Sequence, residues 1–308
     1  MDINFELYKI FYHAARTGNF SEAATHLFIT QSAVSQSIKN LETKLGVQLF
    51  HRAPRHLRLT QEGELLFSHV EQAYHLLKNA EAKMIELQNL ESGAIRIGAS
   101  DTVSRYLLLP FLRLFNEAHP KLKIQVINRT SLQIIKLLKQ ATIDFGIVTI
   151  SDDHPEVKTE FLVEVNDIFV APGKYGELKE RAVPLTDLLQ YPLLLLEKSS
   201  ATRRNFDKFL AERRLAVTPE IELESVDLLV EFARIGLGVA HVLRESALEA
   251  MAAGELFEVH TVEAIPLRKL GIAVVENVPL SRATASFVVM LKSELIKKPS
   301  ATEGSPIL

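Results

Sequence analysis

Leu66, Val70, Ala73, Leu77, Ala80, Met84 and Leu87 follow one another by alternating steps of four and three residues. That is a heptad seam kept for three repeats, and it predicts one long helix from about residue 60 to residue 90, with Thr60 as its N-cap. A helix this long with a single apolar stripe has two ways to bury it: against its own domain, or against a second copy of the chain. The unbroken length favours pairing between chains, and the two alanines in the seam permit close approach. The sequence before residue 60 and after residue 90 differs in character from this helix.

The front body, residues 4 to 59, reads as a compact helical unit. Phe5, Leu7, Tyr8, Ile10, Phe11 and Ala14 put an apolar stripe on a first helix that Gly18 and Asn19 end. A short second helix is expected from Ser21 to Leu27. After the tight link Phe28-Ile29-Thr30, a third helix runs from Gln31 to about Leu45, capped by Thr30 and stopped by Gly46. On it Val34, Ile38, Leu41 and Leu45 share one face, so Ser32, Ser35, Gln36 and Lys39 point elsewhere. In LFHRAPRHLRLT, Pro54 excludes a regular helix, and Arg52, Arg55 and Arg58 recur every third residue, which suits an arm or a small two-stranded wing.

From residue 92 the pattern becomes strand, helix, strand. Strands are expected at 94 to 100, 123 to 129, 143 to 150, 161 to 171, 193 to 196, 220 to 224, 238 to 242 and 267 to 275. Helices are expected at 103 to 118, 131 to 140, 202 to 215, 226 to 235 and 283 to 297. Apolar strands interleaved with amphipathic helices predict a parallel α/β architecture, and about 200 residues of it suit two lobes around a cleft. The last eleven residues, KPSATEGSPIL, read as a mobile tail.

Charge and composition narrow the function. The chain carries 35 Lys and Arg against 38 Asp and Glu, so it is no general polyanion binder, and any DNA contact must come from local charge. Residues 1 to 60 hold seven basic and four acidic residues, a modest excess of three. Cysteine is absent, which removes disulfides, thiolate nucleophiles and cysteine metal sites. The start MDINFELYKIF has no basic and apolar run of a signal peptide, and no apolar run approaches 18 residues, so a cytoplasmic location is expected. The sequence holds no G-x-S-x-G, no Walker motif, no G-x-G-x-x-G after a strand and no H-E-x-x-H. Gly236-Leu237-Gly238 follows a helix and reads as a stop and tight turn. No catalytic residue, metal ligand or cofactor is assigned, and no enzyme activity is expected.

Helix openings after strands offer the better binding chemistry. Ser100, Asp101 and Thr102 follow the first strand of the α/β part, Thr130 and Ser131 the second, and Ser199, Ser200, Thr202 and Arg203 follow LLLLEK. Free N–H groups at such ends, with hydroxyls beside them, bind small anions, although ordinary N-capping uses the same residues. Lys198 and Arg203 would add positive charge there. Three openings can converge on one cleft beyond the strand C-termini. Asp101 would repel an anion there, unless it selects a ligand amine or simply caps its helix.

At this point the chain resembles the LysR-type transcriptional regulators. The resemblance rests on AARTGNFSEAATHLFITQSAVSQSIKNLETKLGVQLFHR and on the run Arg52, Arg55, Leu57, Leu59, Thr60, Gly63, with later support from FLRLFNEAHP, IDFGIV, YPLLLLEKSSATRRNFDKFL and ESVDLLVEFARIGLGVA. It covers nearly the whole chain. It implies a multidomain α/β protein: a winged helix-turn-helix over 1–59, a dimerising linker helix over 60–90, an effector-binding domain over 91–297 resembling periplasmic binding proteins, and a flexible tail over 298–308. One lobe would hold about 91–162 and 266–297, the other about 163–265. The resemblance further implies that Gln31, Ser32, Ser35, Gln36 and Lys39 face DNA, with Arg52, Arg55 and Arg58 on the backbone. Ser100, Thr102, Thr130, Ser200 and Thr202, with Arg203 as a further candidate, would line the effector cleft. The implied partners are double-stranded promoter or operator DNA, a small-molecule effector with an anion as the candidate class, a second copy in a homodimer or homotetramer, and RNA polymerase. The alternative is a cytoplasmic small-molecule binding protein whose helical front makes protein contacts. Three departures stand out: Glu62 where alanine is usual before Gly63, Leu243 where proline is usual, and Asp101 at the cleft.

Overall fold

The computed structural model describes residues 3–52, 57–88, 93–151, 156–276 and 278–296. The chain divides into two compact units, residues 1–88 and 89–308. The tail over 298–308 lies outside the described residues.

In the first unit, helices α1 (Phe5–Thr17), α2 (Phe20–Leu27) and α3 (Gln31–Leu45) pack around Phe11, Tyr12, Val34, Ile38 and Leu41, all buried. Each helix is bounded by local chemistry. Asn4 and Asn19 accept the backbone N–H groups of Glu6 and Ser21 at 3.0 and 2.8 Å, so α2 opens at Phe20, one residue before the expected start. Thr30 Oγ1 accepts from Ala33 N at 3.2 Å and opens α3 as expected. Gly18, Phe28 and Gly46 close the three helices in the left-handed region. Strands β1 (Phe50–Arg52) and β2 (Leu57–Leu59) then pair antiparallel, with His51 opposite Arg58. This is the two-stranded wing.

Helix α4 (Gln61–Gln88) follows at once. Thr60 is buried; its hydroxyl donates to the Gln48 carbonyl at 2.7 Å and accepts from Gly63 N at 3.0 Å. Gly63 has to be glycine, because a Cβ there would lie 2.1 Å from the Leu49 carbonyl oxygen. Glu62 and Glu64 sit in the first turn, where the helix dipole favours a carboxylate. The seam divides in two. Leu66, Val70 and Ala73 are at least half-buried, and Phe67 and Tyr74 join them on the first unit's core. Leu77, Ala80 and Met84 are exposed. The side chain of Leu87 lies outside the described residues.

The second unit holds two five-stranded sheets. The first comprises β3 (Ala94–Ala99), β4 (Lys123–Asn128), β5 (Phe145–Thr149), β6 (Val157–Val165) and β12 (Arg268–Val275), in the order β4-β3-β5-β12-β6. The second comprises β7 (Asp167–Pro172), β8 (Leu193–Leu196), β9 (Ile221–Leu223), β10 (Val239–Leu243) and β11 (Leu256–Val259), in the order β11-β7-β10-β8-β9. A run α5 (Asp101–Val103), a π-turn (Ser104–Leu108) and α6 (Leu109–Ala118) follows β3, and α7 (Ser131–Lys139) follows β4. Around the second sheet lie a 3-10 turn (Gly173–Leu178), α8 (Leu185–Leu188), α9 (Ala201–Glu212), α10 (Val226–Arg234) and α11 (Arg244–Ala252), and α12 (Arg282–Ile296) returns to the first.

Three expectations change. The sheets are mixed, not parallel: β12 runs antiparallel to β5 and β6, and β7 antiparallel to β10 and β11. The single strand expected at 161 to 171 is two strands belonging to different sheets, and the chain crosses between lobes at Asn166, between β6 and β7. It crosses back over 260–267 into β12. Helices α8 and α11 and strand β11 are additions that the sequence pattern does not announce. Leu243, in the place of a proline, has φ of −59°, close to the value a proline ring imposes.

Candidate nucleic-acid face and ligand cleft

Helix α3 has two chemically distinct sides. Val34, Ile38 and Leu41 are buried, at 0%, 3% and 0% exposure. Gln31, Ser32, Ser35, Gln36 and Lys39 are all exposed. The cap that opens the helix also reaches this face: the hydroxyls of Thr30 and Ser32 lie 3.0 Å apart. On the wing, Arg58 is exposed. Arg55 and the side chain of Arg52 lie outside the described residues.

The second unit has a cleft of about 640 Å³ between its lobes. Its floor is built from helix openings. Ser100 Oγ accepts from Val103 N at 3.3 Å, and Thr130 N donates to Gln133 Oε1 at 3.1 Å in a capping box. Ser131 Oγ accepts from Thr149 N at 3.2 Å, tying α7 to the end of β5. From the other lobe, Ser200 and Ser225 cap α9 and α10. Ser100, Thr102, Thr130, Ser200 and Thr202 all line the cleft, so the structure brings together helix openings from distant parts of the chain. Asp101 is there as well, and Asn128 Nδ2 approaches it at 3.5 Å.

Arg203 does not line the cleft. It is 2% exposed, with its guanidinium turned under α9 to Asp207 at 2.8 Å, Glu222 at 2.8 Å and the Leu196 carbonyl at 3.1 Å. All of these are protein partners, so Arg203 fastens α9 to β8 and β9. The cationic groups that reach the cleft among the described residues are Arg129 and Arg268. Arg129 follows β4 directly and could have been read as part of the second helix opening. Arg268 gave no such signal, because its partner is far away in sequence: its Nε and Nη2 donate to the two oxygens of Asp167 at 2.8 and 2.9 Å. Both are buried. Burial alone would raise the Asp167 pKa, but the adjoining guanidinium outweighs it and holds the carboxyl below its ordinary value.

Between the lobes, the π-turn touches α10. Arg105 meets Asp227 at 3.0 Å, and the Tyr106 hydroxyl donates to the same carboxylate. Burial, and then this bond, push the Tyr106 pKa up, so the phenol stays a donor.

A polar-faced helix-turn-helix with a wing, followed by a two-lobed α/β unit enclosing a polar cleft, defines a ligand-responsive DNA-binding protein. Comparison with known proteins agrees. The family model "Bacterial regulatory helix-turn-helix protein, lysR family" matches residues 5–64, and "LysR substrate binding domain" matches residues 88–296. The chain is 28% identical to a probable RuBisCO transcriptional regulator of Cyanidium caldarium, over 87% of this chain and 86% of that one. It is also 28% identical to the HTH-type transcriptional activator CmpR of Synechocystis, over 85% and 86%. In fold it is similar to a full-length OxyR variant of Pseudomonas aeruginosa, with a TM-score of 0.68 and 19% identity over 95% of this chain and 94% of that one. The chain belongs to the LysR family of transcriptional regulators. Among the described residues no helix is long and apolar enough to cross a membrane.

Proposed function

We propose that this regulator reads operator DNA with Gln31, Ser32, Ser35, Gln36 and Lys39, and that a small polar molecule bound among Ser100, Thr102, Thr130, Ser200 and Thr202 changes how it does so. On this reading the protein is cytoplasmic and is a homodimer joined along the outer half of α4, or a homotetramer of two such dimers, with no catalytic step of its own. The observation that carries it is the division of α3. Its apolar side is spent on the core, and the side turned to solvent carries amides, hydroxyls and one cation, the groups that base edges and phosphates accept.

Glutamine can bond adenine N6 and N7 together, and serine hydroxyls read either way, so base choice rests on Gln31 and Gln36. Lys39 and Arg58, with Arg52 and Arg55, would hold phosphates and carry no sequence information. In the cleft, helix N-termini favour an anionic group on the ligand, while Asp101 and Glu224 on the rim favour a hydrogen-bond donor elsewhere on it. A molecule bearing both is expected.

Footprinting with a salt titration tests the DNA assignment. Arg58→Ala is expected to weaken every sequence alike and to lower the slope of log affinity against log salt by about 1. Gln36→Ala is expected to relax discrimination at one or two base pairs. An equal loss on all sequences would refute its role as a base reader.

A further inference from the structure

Phe28 is the most exposed large apolar side chain among the described residues, at 96%. It stands in the turn between α2 and α3, two residues before the Thr30 cap, and is no part of the first unit's core. Its backbone is left-handed, with φ of 55° and ψ of 39°, a conformation that glycine or asparagine adopts at less cost. A phenylalanine there combines a disfavoured backbone with an exposed ring, and the core of the first unit offsets neither. Backbone strain of this kind gathers where function requires it. The turn itself is held: the Phe28 N–H donates to the Thr25 carbonyl at 3.3 Å and the Ile29 N–H to the Ala24 carbonyl at 3.1 Å.

Residues 28–33 are all exposed, so the turn runs without a break into the side of α3 assigned to DNA. From Leu27 to Ile38 no side chain carries charge, which suits base edges better than phosphates. The major groove displays hydrogen-bonding groups and one apolar group, the 5-methyl of thymine. Every adenine that Gln31 or Gln36 would read brings a paired thymine with it, so an apolar ring on this surface has one matching group in the groove.

We propose that Phe28 is a further specificity residue, packing its ring on the 5-methyl of one thymine in each half of the operator. The proposal rests on the assignment of α3 to DNA and adds to it an apolar contact beside the amides and hydroxyls.

The test uses the full-length protein and a duplex that it selects from a random-sequence pool. Each thymine is replaced in turn by deoxyuridine, which removes the 5-methyl and leaves the hydrogen-bonding edge intact. At one thymine of a half-site the exchange is expected to weaken wild-type binding about fourfold, the effect of leaving roughly one methyl group unburied. Phe28→Asn, which suits the left-handed backbone and alters an exposed side chain, is expected to bind the thymine duplex about tenfold more weakly and to be indifferent to deoxyuridine at that position. Phe28→Leu should restore part of both effects. Equal sensitivity of wild type and Phe28→Asn to deoxyuridine, or unchanged affinity of Phe28→Asn, would overturn the proposal. If Gln36→Ala still relaxes discrimination on the same duplex, the Phe28 contact alone falls. If Gln36→Ala has no such effect, or no duplex is selected, the assignment of α3 to DNA falls with it. Loss of self-association in Phe28→Asn at unchanged DNA affinity would place the ring against protein and overturn the proposal as well.

Discussion

The Asp167–Arg268 pair lies between two cavities. Asp167 lines a smaller cavity beside Thr202 and Phe206, Arg268 lines the cleft, and Arg268 also donates to Thr149 Oγ1 at 3.3 Å. A buried pair of this kind contributes little net stability over apolar residues of the same shape, but removing one partner strands the other charge. Arg268→Met is therefore expected to destabilise the second unit by about 3–5 kcal/mol, and adding Asp167→Leu should recover much of that; urea midpoints of the single and double variants check both. His241 acts through pH. The unfolded ring takes up a proton near its ordinary value of 6.5 and the folded ring only near 4. Between those values the unfolded state binds more protons, so its contribution is intact above 6.5 and falls as the pH drops towards 4, by about 3 kcal/mol in all. In His241→Phe this part of the acid sensitivity should vanish, seen as a flatter dependence of the urea midpoint between pH 6.5 and 4.

At the scale of elements, α4 does two jobs. Its first half is part of the first unit's core, where Tyr12 stacks on Tyr74 at 4.2 Å and on Phe67 at 6.0 Å. Its second half exposes Leu76, Leu77 and Met84 at 39%, 47% and 61%. On the dimer reading those residues face the second copy, so Leu77→Glu with Met84→Glu should convert the dimer to a monomer in sedimentation while leaving the first unit folded. The heptad period was legible in the sequence; where the seam passes from its own core to the surface was not, because the seven-residue rule is the same on both sides of that point. A similar limit explains the sheets. Periodicity located most strands, but whether a strand runs parallel to its neighbour depends on which neighbour it finds, and β12 pairs with β5 and β6 across more than 100 residues. The strand expected at 161 to 171 has no polar break long enough to reveal that Asn166 carries the chain into another lobe. In the cleft, the hydroxyls at helix openings were legible because capping is local. Arg268 was not legible for the opposite reason: the carboxylate that holds it at the cleft, Asp167, is 101 residues away, while Arg203 turns from the cleft to Asp207 on its own helix and to Glu222 on β9.

For the whole molecule, the second unit is two sheets joined at two crossings, and the bonds from Arg105 and Tyr106 to Asp227 link the two lobes directly. They tie the lobe that carries the Ser100 helix opening to the lobe that carries the Ser225 opening. A ligand shifts an equilibrium between lobe arrangements only by the difference in its affinity for them, and a preset separation lowers the ordering that binding must supply. Arg105 is 62% exposed, so its ion pair is screened and contributes little. The phenol–carboxylate bond is half-buried and charge-assisted, and such bonds contribute roughly 1.5–3 kcal/mol. Only part of that distinguishes the ligand-ready arrangement from a looser one. Tyr106→Phe is therefore expected to weaken effector binding about three- to tenfold by calorimetry, about 0.6–1.4 kcal/mol, with DNA affinity in the absence of effector unchanged. If DNA affinity fell by the same factor without effector, Asp227 would be holding the fold and not the ligand-ready spacing of the lobes.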